Sequence, residues 1–150
     1  MADLIFNQEI AAPAKIVGAF FVPHRMGAWY GRELDLQFEA QGGAIEFRNG
    51  LKVRLTGRFG KREVSHTAVV TEFERGRVLE WQFQDAYGVR GLQRWEIEGD
   101  ANGTRLRMRD CYEMPGRFGR FFDWLITRHA VARRDRRELQ RLKRMVEHEP

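Results

Sequence analysis

Cysteine is almost absent from this 150-residue sequence, in which Cys111 is the only example. An intramolecular disulfide and a cysteine-based zinc site are therefore excluded, and the lack of disulfides fits a reducing compartment. The four histidines, His24, His66, His129 and His148, do not have the spacing of metal ligands. We therefore expect no metal, no cofactor and a cytoplasmic location.

Long apolar runs are also missing. No segment approaches the about 20 apolar residues that span a bilayer, and Met1-Ala2-Asp3 does not begin a signal peptide. The sequence therefore predicts no membrane span. Its content of 43% hydrophobic and 12% aromatic residues is typical of one globular domain, which we place at residues 1–150.

Lysine is scarce, with 4 examples against 22 arginines, and the formal net charge is +5. Arginine is well suited to phosphate contacts, so one interpretation is that an arginine-rich helix face binds nucleic acid or an acidic partner. Many arginines alternate with apolar residues along predicted strands or lie on the outer face of a predicted helix. This placement favours the other interpretation, a solvated surface.

Alternation of apolar and polar residues predicts a series of strands. The first runs from Leu4 to Ile10, and two short helices follow, one beginning after Pro13 and one spanning His24 to Tyr30. Asn49-Gly50 is a strong signal for a hairpin turn. The later strands have the hairpin spacing of an antiparallel sheet: Leu34 to Phe38, Ile45 to Phe47, Leu51 to Leu55, Glu63 to Phe73, Val78 to Asp85, Leu92 to Glu98 and Thr104 to Met114.

The last stretch, Arg117 to His148, is predicted to form one long amphipathic helix. At about 100° per residue, one narrow arc holds Phe118, Phe121, Leu125, Ala132, Leu139 and Val146, and Phe122 and His129 border it. An antiparallel sheet needs a cover for its apolar face, and this helix is able to supply it. The predicted fold class is α+β, with a curved antiparallel sheet of about six or seven strands and the helix packed across it.

The strand phases predict which side chains face that helix. The candidate ligand-binding residues are Trp81, Phe83, Asp85, Tyr87, Gln93, Trp95, Met108, Asp110, Tyr112, Phe121, Phe122, Leu125 and His129. A few polar groups among many apolar ones are typical of a small-molecule site. The assignments assume no bulge, since a bulge turns later side chains to the other face. The facing of His66 stays open because its strand neighbours indicate both faces.

Asp110 is the most informative polar residue of this set. Burying a carboxylate is costly unless it is paired or protonated. One interpretation is structural, with Asp110 paired to an arginine such as Arg136 or hydrogen-bonded to Tyr112. The other is that Asp110 orients a ligand or exchanges a proton with it. His129 is either a boundary residue or, if it faces Asp110, a general acid or base, so both are candidate catalytic residues.

Six passages occur in a characteristic order: Ile10-Ala11-Ala12-Pro13-Ala14, Trp29, Val70 to Arg77, Gly103-Thr104, Tyr112 to Gly119, and Leu139-Gln140-Arg141-Leu142-Lys143. Together they resemble the START-like superfamily, also called SRPBCC, Bet v 1-like or polyketide cyclase/dehydrase-like. The resemblance covers essentially the whole chain.

This resemblance implies a helix-grip fold, in which the sheet curls around the C-terminal helix and leaves an elongated apolar cavity. Family members bind lipids, sterols, polyketides, quinones or plant hormones, and some are enzymes. We therefore expect a domain that binds a small hydrophobic or aromatic ligand, such as a lipid, a polyketide or a quinone-like molecule. The alternative is a polyketide cyclase or aromatase-like enzyme with acid/base residues in the same cavity.

Overall fold

The computed structural model describes residues 2–85 and 87–148, without the side chains of Phe59, Arg62, Arg120, Phe122, Trp124 and Leu125. Strand β1 (Ala2–Ile10) leads into two short helices, α1 (Ala14–Gly18) and α2 (Pro23–Met26). Six further strands follow: β2 (Gln37–Ala40), β3 (Lys52–Phe59), β4 (Arg62–Glu74), β5 (Val78–Asp85), β6 (Arg90–Gly99) and β7 (Thr104–Glu113).

These strands form one antiparallel sheet of seven, in the order β1-β7-β6-β5-β4-β3-β2. From β2 to β7 each strand pairs with the next along the chain. Strand β1 completes the sheet beside β7, with a register that runs from Ala2↔Tyr112 to Ile10↔Thr104. The predicted antiparallel sheet and the helix-grip arrangement are confirmed.

Strand β7 shows the predicted alternation without interruption, because its register with both neighbours is continuous. Its buried residues include Leu106, Met108, Asp110 and Tyr112, and its exposed residues are Arg105, Arg107 and Arg109. Strand β4 differs, because its register with β5 shifts between Val70 and Glu72. Val70 and Phe73 are three residues apart and would face opposite sides of a regular strand, but the bulge puts both on the inner face. This is why the strand neighbours of His66 indicated both faces.

The predicted strand from Ile45 to Phe47 is wrong, because that segment is irregular and β2 pairs directly with β3. Asn49-Gly50 does form a turn, but its contacts go to β4 and not to a hairpin partner. The Asn49 Oδ1 atom accepts a hydrogen bond from the Phe73 N–H at 2.7 Å. The Gly50 N–H donates to the Val70 carbonyl at 2.7 Å.

The C-terminal helical run has three parts: α3 (Gly116–Phe122), a π-helical turn (Asp123–Thr127) and α4 (Arg128–His148). A π turn inserts one extra residue into a helix, so it rotates the side chains before it by about 100° relative to those after it. Phe118 and Phe121 are consequently 81% and 55% exposed, whereas Leu139 and Val146 are buried. The prediction that all four share one face is therefore wrong.

The end of α4 is fastened to the end of β1. The Glu147 Oε1 atom accepts a hydrogen bond from the Ala11 N–H at 2.8 Å. The Lys143 ammonium donates to the Glu9 carbonyl at 3.0 Å. These contacts fix the last turns of α4 against the first strand, and so set how far the rest of α4 reaches across the sheet.

A cluster of tryptophan rings packs in the core beside the inner face of the sheet. The rings of Trp81 and Trp95 meet edge to face with centroids 5.1 Å apart, and Trp29 packs on Trp95 at 6.2 Å. Each buried aromatic of this size removes about 150–250 Å² from water, which is worth about 4–6 kcal/mol. A ligand would have to replace that packing, so these rings belong to the core.

Candidate functional site

A cavity of about 200 Å³ lies between the sheet and the C-terminal helical run, at the end where β7 leads into α3. It is larger than the about 150 Å³ cavity that holds benzene. It is smaller than the about 300 Å³ at the lower end of typical ligand pockets. The volume therefore suits a molecule of one or two rings.

Most of the cavity wall is apolar. The strands contribute Leu55 and Phe83, and α4 contributes Val131. The segments that connect the strands and helices contribute Leu34, Leu36, Val89 and Met114. Leu55 of β3 and Phe83 of β5 reach the cavity because inward-facing residues of the sheet lie side by side. A ring that enters the cavity is thus surrounded mainly by hydrocarbon.

Two acids line the polar end of the cavity, Glu138 of α4 and Asp110 of β7, and Asp135 of α4 lies beside them. Asp135 and Glu138 are 0% and 2% exposed. Asp135 lies four residues before Leu139, and Glu138 lies four residues before Leu142. All four belong to the same buried stripe of α4, because helical neighbours three or four apart share a face. Asp110 of β7 is 1% exposed and faces the two acids from the sheet. We call Asp110, Asp135 and Glu138 the acid cluster.

Arg134 contacts all three members of the acid cluster. Its Nη2 atom is 3.7 Å from Asp110 Oδ2 and 3.6 Å from Asp135 Oδ1. Its Nε atom is 3.4 Å from Glu138 Oε1. The Arg134 Nε–H makes no hydrogen bond of normal geometry, so these are ion pairs at a distance and not fork-like bidentate bonds.

Gln93 connects the acid cluster to the aromatic core. Its Oε1 atom accepts hydrogen bonds from the Tyr30 hydroxyl at 2.6 Å and from the Trp81 indole N–H at 2.9 Å. Its Nε2 atom donates to Asp110 Oδ2 at 3.3 Å. Gln93 is 2% exposed, so the network fixes both the amide and the Asp110 carboxyl.

Five oxygens of the acid cluster have no hydrogen bond of normal geometry: Asp110 Oδ1, both oxygens of Asp135 and both of Glu138. With every group ionised, three carboxylates would face one guanidinium. Buried charge of that kind is so unfavourable that carboxyls bind protons instead. The acid cluster is therefore a site of proton binding.

The direction of the pKa shifts agrees with this. Burial, followed by the charge of the neighbouring Asp110 carboxylate, raises the pKa of Asp135 well above its usual value. Burial also raises the pKa of Glu138 to about 8, against the opposing charge of Arg134. Burial and the charge of Glu138 raise the pKa of the Tyr30 hydroxyl well above its usual value.

A second polar group closes the same cavity near the π turn. The Tyr112 hydroxyl donates a short hydrogen bond to Asp123 Oδ1, and Arg128 Nη2 is 3.3 Å from Asp123 Oδ2. Burial, and then the Asp123 hydrogen bond, raise the pKa of Tyr112. Tyr112 is therefore engaged with Asp123, and not with Asp110 as one interpretation of the sequence had it.

His66 and Asp85 line the wall of β4 and β5. Burial lowers the pKa of His66, although the nearby Asp85 carboxylate opposes the shift. Asp85 Oδ1 accepts hydrogen bonds from the Tyr87 and Val89 N–H groups at 2.8 and 2.9 Å. Asp85 thus shapes the turn between β5 and β6, and His66 is a mainly neutral polar group on the cavity wall.

The structure brings some of the predicted site residues together and separates others. Five line the cavity: Phe83, Asp85, Gln93, Asp110 and Tyr112. Trp81, Trp95 and Met108 are at most 1% exposed and belong to the packed core. Tyr87 and Phe121 are 56% and 55% exposed, His129 is exposed, and the side chains of Phe122 and Leu125 lie outside the described part of the structure.

The physical reason for the position of Phe121 is the rotation at the π turn. His129 lies beyond that turn on the exposed face of α4, so it does not face Asp110. The predicted pairing of Asp110 with Arg136 is also replaced, because Arg136 lies over the Phe6 ring with its Cζ atom 5.4 Å from the centroid. Arg134 takes that role instead.

The sequence reasoning missed Tyr30, Arg134, Asp135 and Glu138. A usable signal existed for the two acids, since they fall on the stripe of Leu139 and Leu142 where an amphipathic helix carries apolar residues. No such signal exists for Arg134, because arginines surround it in the sequence.

Within residues 2–85 and 87–148, no helix is long and apolar enough to cross a membrane. The same residues contain no group of three or more His, Cys, Asp or Glu side chains arranged to hold a metal ion.

A curved seven-stranded antiparallel sheet, a C-terminal helix across it and a cavity between them define the helix-grip class of proteins. Residues 5–147 match the family described as "Polyketide cyclase / dehydrase and lipid transport", and the chain belongs to that family. No curated protein matches the sequence.

Solved structures share the fold at low sequence identity. DynU16, from the dynemicin biosynthetic locus, is 20% identical with a TM-score of 0.71 over 97% of this chain and 47% of its own. The chain thus spans about half the length of DynU16. An uncharacterised protein from Rhizobium leguminosarum is 17% identical, with a TM-score of 0.70 over 99% of this chain and 95% of its own. NE0264 from Nitrosomonas europaea is 14% identical, with a TM-score of 0.74 over 99% and 96%.

Proposed function

We propose that this protein binds one compact, largely aromatic molecule in the cavity between sheet and helix. The observation that carries the proposal is a cavity of about 200 Å³ with apolar walls and one polar end. The walls would hold the ring system, and the acid cluster, Gln93 and Tyr30 would orient its polar end. The family description, with its cyclase and lipid-transport members, supports a small-molecule role.

The volume favours a ligand of one or two rings over a long acyl chain. The tryptophan cluster belongs to the packed core, so extending the cavity into that core would mean displacing rings that each contribute about 4–6 kcal/mol. Among the ligand classes that the family suggests, small polyketide-like and quinone-like rings therefore fit better than lipids.

A pair of α4 variants tests the proposal with 1-naphthol as a two-ring probe. Val131 lines the cavity, and Val131→Phe should fill it and weaken naphthol binding at least tenfold in a fluorescence titration. Ala130 is the exposed neighbour, so Ala130→Phe is the matched control and should bind like the unmodified protein. Native mass spectrometry of the purified protein would identify any compound already held.

Equal binding by both variants would place the naphthol site outside the cavity, and no binding by the unmodified protein up to millimolar probe would reject the proposal. Dodecanoate, a long-chain comparison, should bind more weakly than naphthol. Tighter binding of dodecanoate would favour the lipid alternative.

A second candidate is an acid/base enzyme, and the carboxyl pair Asp110–Asp135 together with Glu138 favours it. In such a reaction Asp110 would take a proton from a carbon next to a ketone, and the protonated Glu138 would give one to the ketone oxygen to form the enol. Reversal in D₂O would place deuterium on the carbon.

Deuterium uptake by 2-tetralone, followed by NMR, measures that step. The unmodified protein should exceed buffer, and Asp110→Asn should return the rate to that of buffer while 1-naphthol still binds. His129→Ala should leave the rate unchanged, because His129 is exposed and outside the cavity lining. A rate equal to buffer for the unmodified protein would count against the enzyme.

A further inference from the structure

The acid cluster presents more hydrogen-bond acceptors than the protein around it satisfies. Asp110 and Glu138 are 1% and 2% exposed, and both line the cavity. Asp110 Oδ1 and both oxygens of Glu138 have no hydrogen bond of normal geometry. Among the oxygens of the acid cluster that lack a hydrogen bond, these three belong to residues that line the cavity.

The acid cluster also has fewer positive charges than carboxyl groups. Within the described part of the chain, Arg134 is the one cation in ion-pair contact with the acid cluster. Its guanidinium already serves all three carboxyls, so it has little capacity left for an anionic ligand. A ligand with only a carbonyl oxygen could accept a hydrogen bond from a protonated carboxyl, but it would add no positive charge to the acid cluster.

Protons supply the missing positive charge when no ligand does. Burial raises the pKa of both Glu138 and Asp135 above the usual range for a carboxyl, so both bind protons more readily than an exposed acid. Glu138 also lines the cavity, whereas Asp135 does not. The proton on Glu138 is therefore the one that an incoming cation replaces most easily.

We propose that the aromatic ligand carries a basic nitrogen, as an ammonium or amidinium group, and that this cation binds between Asp110 and Glu138. The inference rests on the proposed function, because the cavity must first hold the ring. The cation donates N–H hydrogen bonds to Asp110 Oδ1 and to the two Glu138 oxygens, and it replaces the proton of Glu138. The rings of Tyr30 and Phe83 line the same cavity and favour a nearby cation through their π faces.

Three molecules of nearly equal shape separate this proposal from the others: benzamidine (cationic), benzamide (neutral) and benzoate (anionic). Their dissociation constants are measured by NMR titration of the full chain at pH 7. Benzamidine should bind at least tenfold more tightly than benzamide, and benzoate should bind most weakly. Equal affinities, or tighter binding of benzamide or benzoate, would overturn the cationic ligand and leave the aromatic-binding function standing. Failure of all three would count against both.

Two variants assign the contact. Glu138→Gln should weaken benzamidine about tenfold and leave benzamide unchanged, which also reports that the cavity is intact. Glu113→Gln is the matched control, because this residue lies on β7 with a side chain that is 46% exposed, and it should change neither. Asp110→Asn should repeat the selective loss of benzamidine. Retention of full benzamidine affinity in both cavity variants would overturn the proposed contact.

Proton exchange gives an independent readout. Glu138 is faced by Arg134 and Asp135 of α4, Asp110 of β7, and Tyr30 and Glu33 of the segment after α2. If the cation replaces its proton, benzamidine affinity should rise by up to about tenfold per pH unit between pH 6 and 8. Benzamide affinity should stay flat, and a flat profile for benzamidine would contradict the exchange.

Discussion

Replacing Glu138 with glutamine keeps the size and shape of the side chain and removes its ability to ionise. In the folded protein this carboxyl is 2% exposed and its pKa is raised to about 8, from the ordinary value of 4.5, chiefly by burial. In the unfolded chain it loses its proton near pH 4.5. Between these pH values the unfolded state binds fewer protons than the native state, so Glu138 makes folding less favourable as the pH rises.

The magnitude follows from the cost of about 1.4 kcal/mol for each pH unit across which the two states differ by one proton. From pH 5 to pH 7 the difference amounts to about 2–3 kcal/mol. Glu138→Gln should therefore be close to neutral near pH 4.5 and increasingly more stable than the unmodified protein as the pH rises. The advantage should level off above pH 8, where the native Glu138 also ionises beside Arg134.

Urea unfolding at pH 5, 6, 7 and 8 measures this change in the free energy of unfolding. Glu113→Gln serves as the control, since its carboxylate lies outside the cavity with a half-exposed side chain, and its difference from the unmodified protein should not grow with pH. A Glu138→Gln variant that is less stable at pH 7, or whose difference is constant from pH 5 to 8, would refute the argument that the acid cluster stores protons.

Three further variants test the network around the cavity. Gln93→Leu leaves a tyrosine hydroxyl and an indole N–H without their acceptor and should cost about 2–4 kcal/mol in urea unfolding, whereas Gln82→Leu on the exposed face of the same sheet should cost under about 0.5 kcal/mol. Arg134→Gln removes the cation between three carboxyls and should cost about 3–5 kcal/mol, with a larger loss at pH 8 than at pH 5 because the acids are then less protonated. Tyr112→Phe removes the donor to Asp123 and should lower the free energy of unfolding by about 1–2 kcal/mol; no change would mean that this short hydrogen bond is not stabilising.

The sheet could be predicted from the sequence because its pairings are mostly local. Each strand from β2 to β7 pairs with its neighbour along the chain, and in β7 the alternation is unbroken, so the inward facing of Asp110 and Tyr112 follows directly. The same reasoning failed for strand β4, because the bulge between Val70 and Glu72 reverses which residues face inward. Alternation fixes a side chain's face only where the register is continuous.

The C-terminal helix could be located but not correctly oriented along its whole length. A single period of 3.6 residues joined Phe121 to Leu139, and the π turn between them breaks that period. The acid cluster was missed for a different reason. Hydrophobic pattern predicts which positions are buried, but it gives no reason to place Asp135 and Glu138 at such positions, since their cost is offset by protons and by one arginine.

The pairing of β1 with β7 has a consequence for how the molecule is made. Ile10 and Thr104 are register partners at one end of this pairing, so the first strand has no neighbour in the sheet until β7, about 100 residues later in the chain, has left the ribosome. The helix that carries Asp135 and Glu138 emerges later still and is fastened to β1 through Glu147 and Lys143. During synthesis its acids are therefore in water, where they are ionised. We expect proton uptake to accompany the final docking of the helix, and this last step of folding to become slower as the pH is raised.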